Sequence, residues 1–298
     1  MFRGSEPHSF VTYFQDDQPS TMNTVASPIR LFDASQPRRF ARAMLDMRDG
    51  FGHWRLAVAL AWGDIKHRYR GSVLGPFWVT LTTAAMVVAL GFFYSFIMKV
   101  DPGTFFPWLA ISLILWAMIS QAITDGAECF ISGEGVIRQV SLPFTVHVLR
   151  CVLRNLLVAA HNLPLVFVVM FLFDISPGLA GLAFFAGLLL FVVNAFWMAF
   201  FLGMVCARFR DVSPIITSLM QLFFFMTPII WLPEQLGDRI AWLALNPFNA
   251  IMETMRAPLL GRPIGMEIWL QALGYTAALW AVGLAFFTRF RGRIAFWV

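Results

Sequence analysis

The chain has 298 residues, of which 59% are hydrophobic and only 13% charged, with a mean hydropathy of +0.70. A soluble domain carries about twice that charged fraction, so an ordinary soluble globule is excluded. The net charge of +5 comes from arginines at the ends of apolar stretches rather than on one continuous face, which speaks for membrane orientation and against nucleic-acid binding.

Residues 1–50 are polar and mixed in charge, with no apolar core of a cleavable signal peptide. They are predicted to form a flexible cytoplasmic tail ahead of a transmembrane domain over 51–298. Over 54–70, Leu56, Ala59, Leu60 and Ile65 stand beside Arg55, Lys66, Arg68 and Arg70, the pattern of an amphipathic helix at a membrane interface. Six apolar stretches follow at 77–97, 105–124, 156–173, 179–206, 213–232 and 268–288. Each is about as long as a hydrocarbon core of ~30 Å requires, so the fold class is an all-α integral membrane protein with six transmembrane helices. The third stretch contains His161, Asn162 and Pro164. That polar pair suits either an interhelical hydrogen bond or a gate.

Basic residues set the orientation. Arg55, Lys66, Arg68, Arg70, Arg138, Arg150, Arg154, Arg208, Arg210, Arg289, Arg291 and Arg293 fall on one side, and Lys99, Arg239, Arg256 and Arg262 on the other. Twelve against four places both termini in the cytoplasm, in a multi-pass protein of the cytoplasmic (inner) membrane. Asp125 and Glu128, just past the second stretch, read as solvated end charges. Between 125 and 149, Val136, Ile137, Val140 and Leu142 are mixed with Gly, Glu and Arg, which suits a short helix at the membrane surface or against a partner. Between 233 and 267, two semi-apolar pieces, 239–245 and 248–260, are separated by Asn246-Pro247. Both are too short to span and are predicted to be re-entrant or interfacial.

Catalytic signatures are missing. No HExxH or GxSxG occurs, and no carboxylate lies inside a predicted span, so neither an enzyme nor an ion-coupled transporter is favoured. No catalytic residue, metal ligand set or resident cofactor is assigned. Cys129, Cys151 and Cys206 have no metal-binding spacing and are predicted to stay reduced. The two lysines lie in Asp64-Ile65-Lys66-His67 and Met98-Lys99-Val100, neither of them a Walker motif. ATP-driven transport would therefore need its motor on another polypeptide.

Four segments occur in order: Asp64-Ile-Lys-His-Arg68-Tyr69-Arg70-Gly-Ser-Val-Leu74-Gly75-Pro-Phe-Trp78, Gly133-Glu134-Gly-Val136-Ile137-Arg138-Gln-Val-Ser-Leu142-Pro143, Arg208-Phe209-Arg210-Asp211 leading to Thr227-Pro228-Ile-Ile-Trp231, and Leu245-Asn246-Pro247-Phe followed by Met255-Arg256-Ala-Pro-Leu-Leu-Gly261. From about Trp54 to the C-terminus this order resembles the membrane subunit of ABC-2-type polysaccharide exporters, which move lipid-linked O-antigen, capsule or teichoic acid chains. The resemblance implies two copies of this chain joined to two separate ATPase subunits, which hold the ATP and Mg, with lipid-linked polysaccharide passing between the two bundles. An ABC-2 exporter of a drug or lipid is the alternative within the class. A membrane enzyme acting on lipid-linked sugars is the alternative outside it.

The resemblance also implies roles. Glu134, Val136, Ile137 and Arg138 would form a coupling helix that enters the ATPase, against the simpler reading of a surface helix on lipid. Arg68 and Arg70 would meet the pyrophosphate of a lipid carrier, or else only fix topology. The 239–245 and 248–260 pieces resemble extracytoplasmic gate helices. Trp78, Thr82, Ala85, Ala89, Phe92 and Phe96 share one helical face of the first span, suited to a sugar path or to lipid. Ala84, about 100° around that helix from Ala85, is expected to face lipid.

Overall fold

The computed structural model describes residues 39–75 and 77–298. The predicted tail over 1–38 lies outside the described residues. Within them every regular element is helical: α1 (Arg39–Gly52), α2 (Trp54–Arg68), α3 (Phe77–Met98), α4 (Pro102–Ala127), α5 (Glu134–Gln139), α6 (Phe144–Ala160), α7 (Leu163–Leu172), α8 (Ala183–Arg208), α9 (Val212–Met226), α10 (Pro247–Leu259), α11 (Met266–Phe290) and α12 (Ile294–Trp297), with 3-10 segments at Gly178–Leu182, Pro233–Leu245 and Arg291–Arg293.

Helix α4 is the axis of the bundle. Asp101 caps it, its carboxylate accepting from Thr104 N at 3.1 Å, and Pro102 occupies the first turn, where no backbone donor is needed. Its side chains are buried on nearly every side, from Phe105 through Ala127. Helices α3, α6, α8, α9 and α10 all pack on it. Small residues permit the closest approaches: a methyl at Gly126 would stand 3.2 Å from Ala199 of α8, and one at Gly187 of α8 would stand 2.5 Å from the Thr254 carbonyl of α10. Rings fill the α8–α11 seam, with Phe200 and Phe287 centroids 4.3 Å apart.

Among the described residues five helical stretches are long and apolar enough to cross a membrane: Phe77–Ile97, Pro102–Ala127, Phe144–Leu172, Gly178–Arg208 and Met266–Trp297. The expected fifth span over 213–232 differs. Helix α9 has 15 residues, about 22 Å at the α-helical rise, and stops at Thr227 because the following Pro228 disfavours helical backbone there. The chain then continues as irregular but buried backbone through Ile230. Such backbone is tolerated at depth only when protein encloses it.

Two other boundaries move. The third stretch begins at Phe144 rather than 156, because its first turns carry His147, Arg150, Arg154 and Asn155, which depress local hydropathy but find partners or burial inside the protein. It breaks at His161-Asn162 before Pro164, and α7 continues beyond. The Thr80 hydroxyl of α3 meets the freed His161 carbonyl at 2.9 Å and the Asn162 side-chain oxygen at 2.8 Å. An interhelical polar contact is thus what the His161-Asn162 pair makes. Residues 39–50, expected in the flexible tail, form α1 with Ala43, Asp46 and Gly50 buried.

Candidate functional site

The α5 end of the bundle gathers most of the charge. Asp64 of α2 accepts from Arg150 Nε at 2.7 Å and pairs with Arg154 Nη1 at 3.2 Å, while Arg154 Nη2 meets Asp125 of α4 at 2.8 Å. Burial pushes the Asp64 carboxyl up, but the Arg150 hydrogen bonds and the charges of Arg150 and Arg154 outweigh it and hold the group below its ordinary value. Three helices are pinned by one alternating array. Asp125 is therefore not a solvated end charge but sits in this array, whereas Glu128 stays exposed, as expected, and accepts from Ser213 Oγ at 2.7 Å. Arg68 reaches the same array, 3.9 Å from Asp125 and 43% exposed, and Arg70 lies exposed on the turn beyond α2. On α2 itself Ala57, Ala61 and Ile65 are buried, while Trp54, Leu56, Val58 and Trp62 are exposed, so apolar residues extend well beyond the packed stripe.

Helix α5 is short and braced. Glu134 pairs with Arg138 at 2.8 Å and with Arg210 at 3.5 Å. Arg138 also donates to the Val298 main-chain oxygen at 2.6 Å. Ile137 turns inward and packs on the core, Val136 is half-buried, and Val140 is 50% exposed. Only part of the predicted quartet is thus presented outward. Just behind it, Cys129 is buried, and burial pushes its thiol well up from its usual range. Cys151 and Cys206 are buried and free as well.

Along α3 the six predicted residues Trp78, Thr82, Ala85, Ala89, Phe92 and Phe96 are all exposed and form one continuous stripe. The opposite side carries Thr80, Val87, Leu90, Gly91 and Tyr94 toward α4 and the α6–α7 break. Ala84 is half-buried on that packed side, so it does not face outward as expected. A face this apolar signals its packed side poorly, since exposed and buried positions bear the same residue types.

At the other end, Arg256 of α10 has no exposed surface. Its guanidinium stacks on Trp108 of α4, 3.6 Å from the ring centroid, donates to Ser112 Oγ at 2.9 Å and to the Pro228 carbonyl at 2.5 Å, and pairs with Glu253. Arg262 lies over the same indole at 5.2 Å. Arg256 therefore ties α4, α10 and the irregular segment after α9 together, a role that counting it as a loop charge missed. Asn246 does the same for the start of α10: its side-chain oxygen accepts from Phe248 N and Asn249 N, and its amide donates to Thr227 Oγ1 at 2.9 Å. Asn246-Pro247, a cap residue followed by proline, was the sequence signal for that helix start. Among the described residues no group of three or more His, Cys, Asp or Glu side chains is arranged to hold a metal ion.

These surfaces, a braced short helix at one end, an outward apolar stripe, and a short helix locked at the other end, sit on a chain with marked likenesses. A protein of Myxococcus xanthus named O-antigen export system permease protein RfbA is 25% identical over 214 residues, 71% of this chain and 82% of that protein. Two proteins of Klebsiella pneumoniae with the same name are each 23% identical, over 80% and 84% of this chain and 93% and 98% of their own lengths. Residues 55–260, more than half of the chain, match the family described as ABC-2 type transporter, and the chain belongs to that family as a multi-pass membrane protein.

Proposed function

We propose that this chain is the membrane-spanning permease of an ATP-driven exporter that carries a lipid-linked, O-antigen-like polysaccharide across the cytoplasmic membrane. The observation that carries this reading is the likeness to three O-antigen export permeases along 71–84% of the chain. In this reading α9 and the buried segment after it make the sixth crossing, and the α5 end with both termini faces the cytoplasm. Helix α2 lies along the inner interface, and the Pro233–Leu245 segment and α10 form the outer gate.

Two copies of the chain join two ATPase subunits, which bind ATP and Mg. The absence of a Walker lysine supports a separate motor. The α5 corner meets that motor through Glu134, Val136 and Arg138 and the half-exposed Val140 just past the helix, with Ile137 as its inward anchor. Arg68 and Arg70 meet the carrier pyrophosphate, and the α3 stripe lines the path, where apolar ring faces suit the C–H faces of sugars.

The test is reconstitution of the chain with its ATPase in vesicles loaded with lipid-linked glycan. ATP-dependent appearance of glycan on the far side, absent when either subunit is omitted, is the expected result. ATP-dependent movement of a lipid or drug, with glycan left in place, would instead favour the other branch of the class. ATP turnover by the chain alone would refute the division of labour.

A further inference from the structure

Helix α10 runs antiparallel to α4. Near its start the Phe248 ring meets Trp116 at 5.9 Å, and one turn from its end Arg256 stacks on Trp108. At the α-helical rise those two tryptophans stand about 21 Å and about 9 Å along α4 from Pro102. Helix α10 therefore begins at mid-depth in the bundle, while α4, α8 and α11 continue past it. Three full-length helices beside one half-length helix leave half of a slot without protein.

A cavity of ≈230 Å³ lies at that place. Pro247 and Phe248 of α10 roof it, and its walls include Ile123 of α4, Ala195 of α8 and Leu279 of α11. Two polar residues reach it, and both are engaged elsewhere. The Tyr275 hydroxyl donates to the Ala244 carbonyl at 2.6 Å, and the Asn194 amide donates to the Leu190 carbonyl at 2.8 Å and to Thr276 Oγ1 at 2.7 Å. A cavity lined this way gives water too few partners and takes apolar guests instead. Phe248 and Leu279 are only half-buried, so the cavity reaches the surface of the bundle. At this depth in a bilayer the surrounding solvent is hydrocarbon.

We propose that the slot binds one hydrocarbon chain of a bulk bilayer lipid, which completes the bundle beneath α10 where protein does not. The guest lies against Phe248, whose ring also touches Phe223 of α9 at 4.8 Å, so it supports the junction of α9 and α10 from below. The inference rests on the chain crossing a membrane and is independent of the exported cargo.

The test uses the full chain in nanodiscs of phosphatidylcholine that carries a diazirine on its acyl chain, with photo-crosslinks mapped by mass spectrometry. Crosslinks are expected at Ile119, Ile123 and Leu279 as well as on outward faces such as Phe167 and Leu222. Ala195→Phe fills the slot and should abolish the first set while leaving the second unchanged. Ala122→Leu replaces it if Ala195→Phe fails to elute as a folded species. Labels confined to outward faces overturn the proposal, as do slot labels that persist in the filled variant. Slot labelling by a diazirine-bearing polyisoprenyl phosphate but not by phosphatidylcholine also overturns it, assigning the slot to a lipid carrier.

Discussion

The Asp46 carboxylate accepts from Arg291 Nε at 2.8 Å, across 245 residues of sequence. The same carboxylate accepts from Phe144 N, Thr145 N and the Thr145 hydroxyl at 3.2, 3.0 and 2.8 Å. One buried side chain thus caps the start of α6 and holds the residue that follows α11. It makes α1 part of the scaffold behind α5, although α1 precedes the residues that match the family.

Asp46→Asn should therefore destabilise the chain strongly. It removes the charge that pairs with Arg291 and weakens the cap, and breaking a mostly buried pair costs about 3–5 kcal/mol. A marked fall in the melting temperature of the detergent-solubilised chain is expected, and a similar fall for Arg291→Gln. Unchanged melting in both would show that α1 merely rests against the bundle.

Asp64 has a sign that can be checked by pH. Its carboxyl is held below the ordinary value of 3.8, so the ion-pair array stabilises the fold fully above that value and loses this contribution as pH falls through the folded-state value. Asp64→Asn should melt well below wild type at pH 7, and the gap should close below about pH 4. A gap independent of pH would mean that packing, rather than charge, explains the loss.

The α5 corner separates two kinds of defect. Val140 is half exposed, so Val140→Asp should leave the chain's own melting unchanged while weakening its hold on the ATPase. A buried, unpaired carboxylate costs several kcal/mol, so the ATPase should be lost on co-purification. Ile137→Asp faces the chain's own core and should lower melting with or without the ATPase. Retention of the ATPase by Val140→Asp would remove Val140 from the contact.

Orientation can be read with introduced thiols, because the three natural cysteines are buried and should resist labelling. Gln139→Cys should react only with reagents that enter the cytoplasm. Leu179→Cys and Asp238→Cys, also at exposed positions, should react from outside. The opposite pattern would invert the bundle and detach α5 from any cytoplasmic motor.

For the α3 stripe, Ala85→Trp and Ala89→Trp put a large ring where sugar would pass and should block export with little effect on melting. Val88→Trp, at a 63% exposed position on the flank, should be tolerated. Ala84→Trp is expected to disturb folding instead, because that residue packs inward. Equal export by all three outward variants would mark the stripe as lipid contact.

The sequence by itself determined the all-helical class and the membrane setting. Both are local properties, because a run of apolar residues long enough for a bilayer must satisfy its backbone groups within one helix. Tertiary structure alone decided where α6 begins, because Arg150 and Arg154 look like loop charges until Asp64 and Asp125 are placed beside them. It alone decided which side of α3 packs, because a helix apolar all round has little periodicity to reveal a buried face. Arg256 and Asp46 follow the same rule. A charged side chain reads as solvated in sequence, and what lets it be buried is a partner supplied by the fold, Trp108 and Pro228 for one, Arg291 and the first turn of α6 for the other.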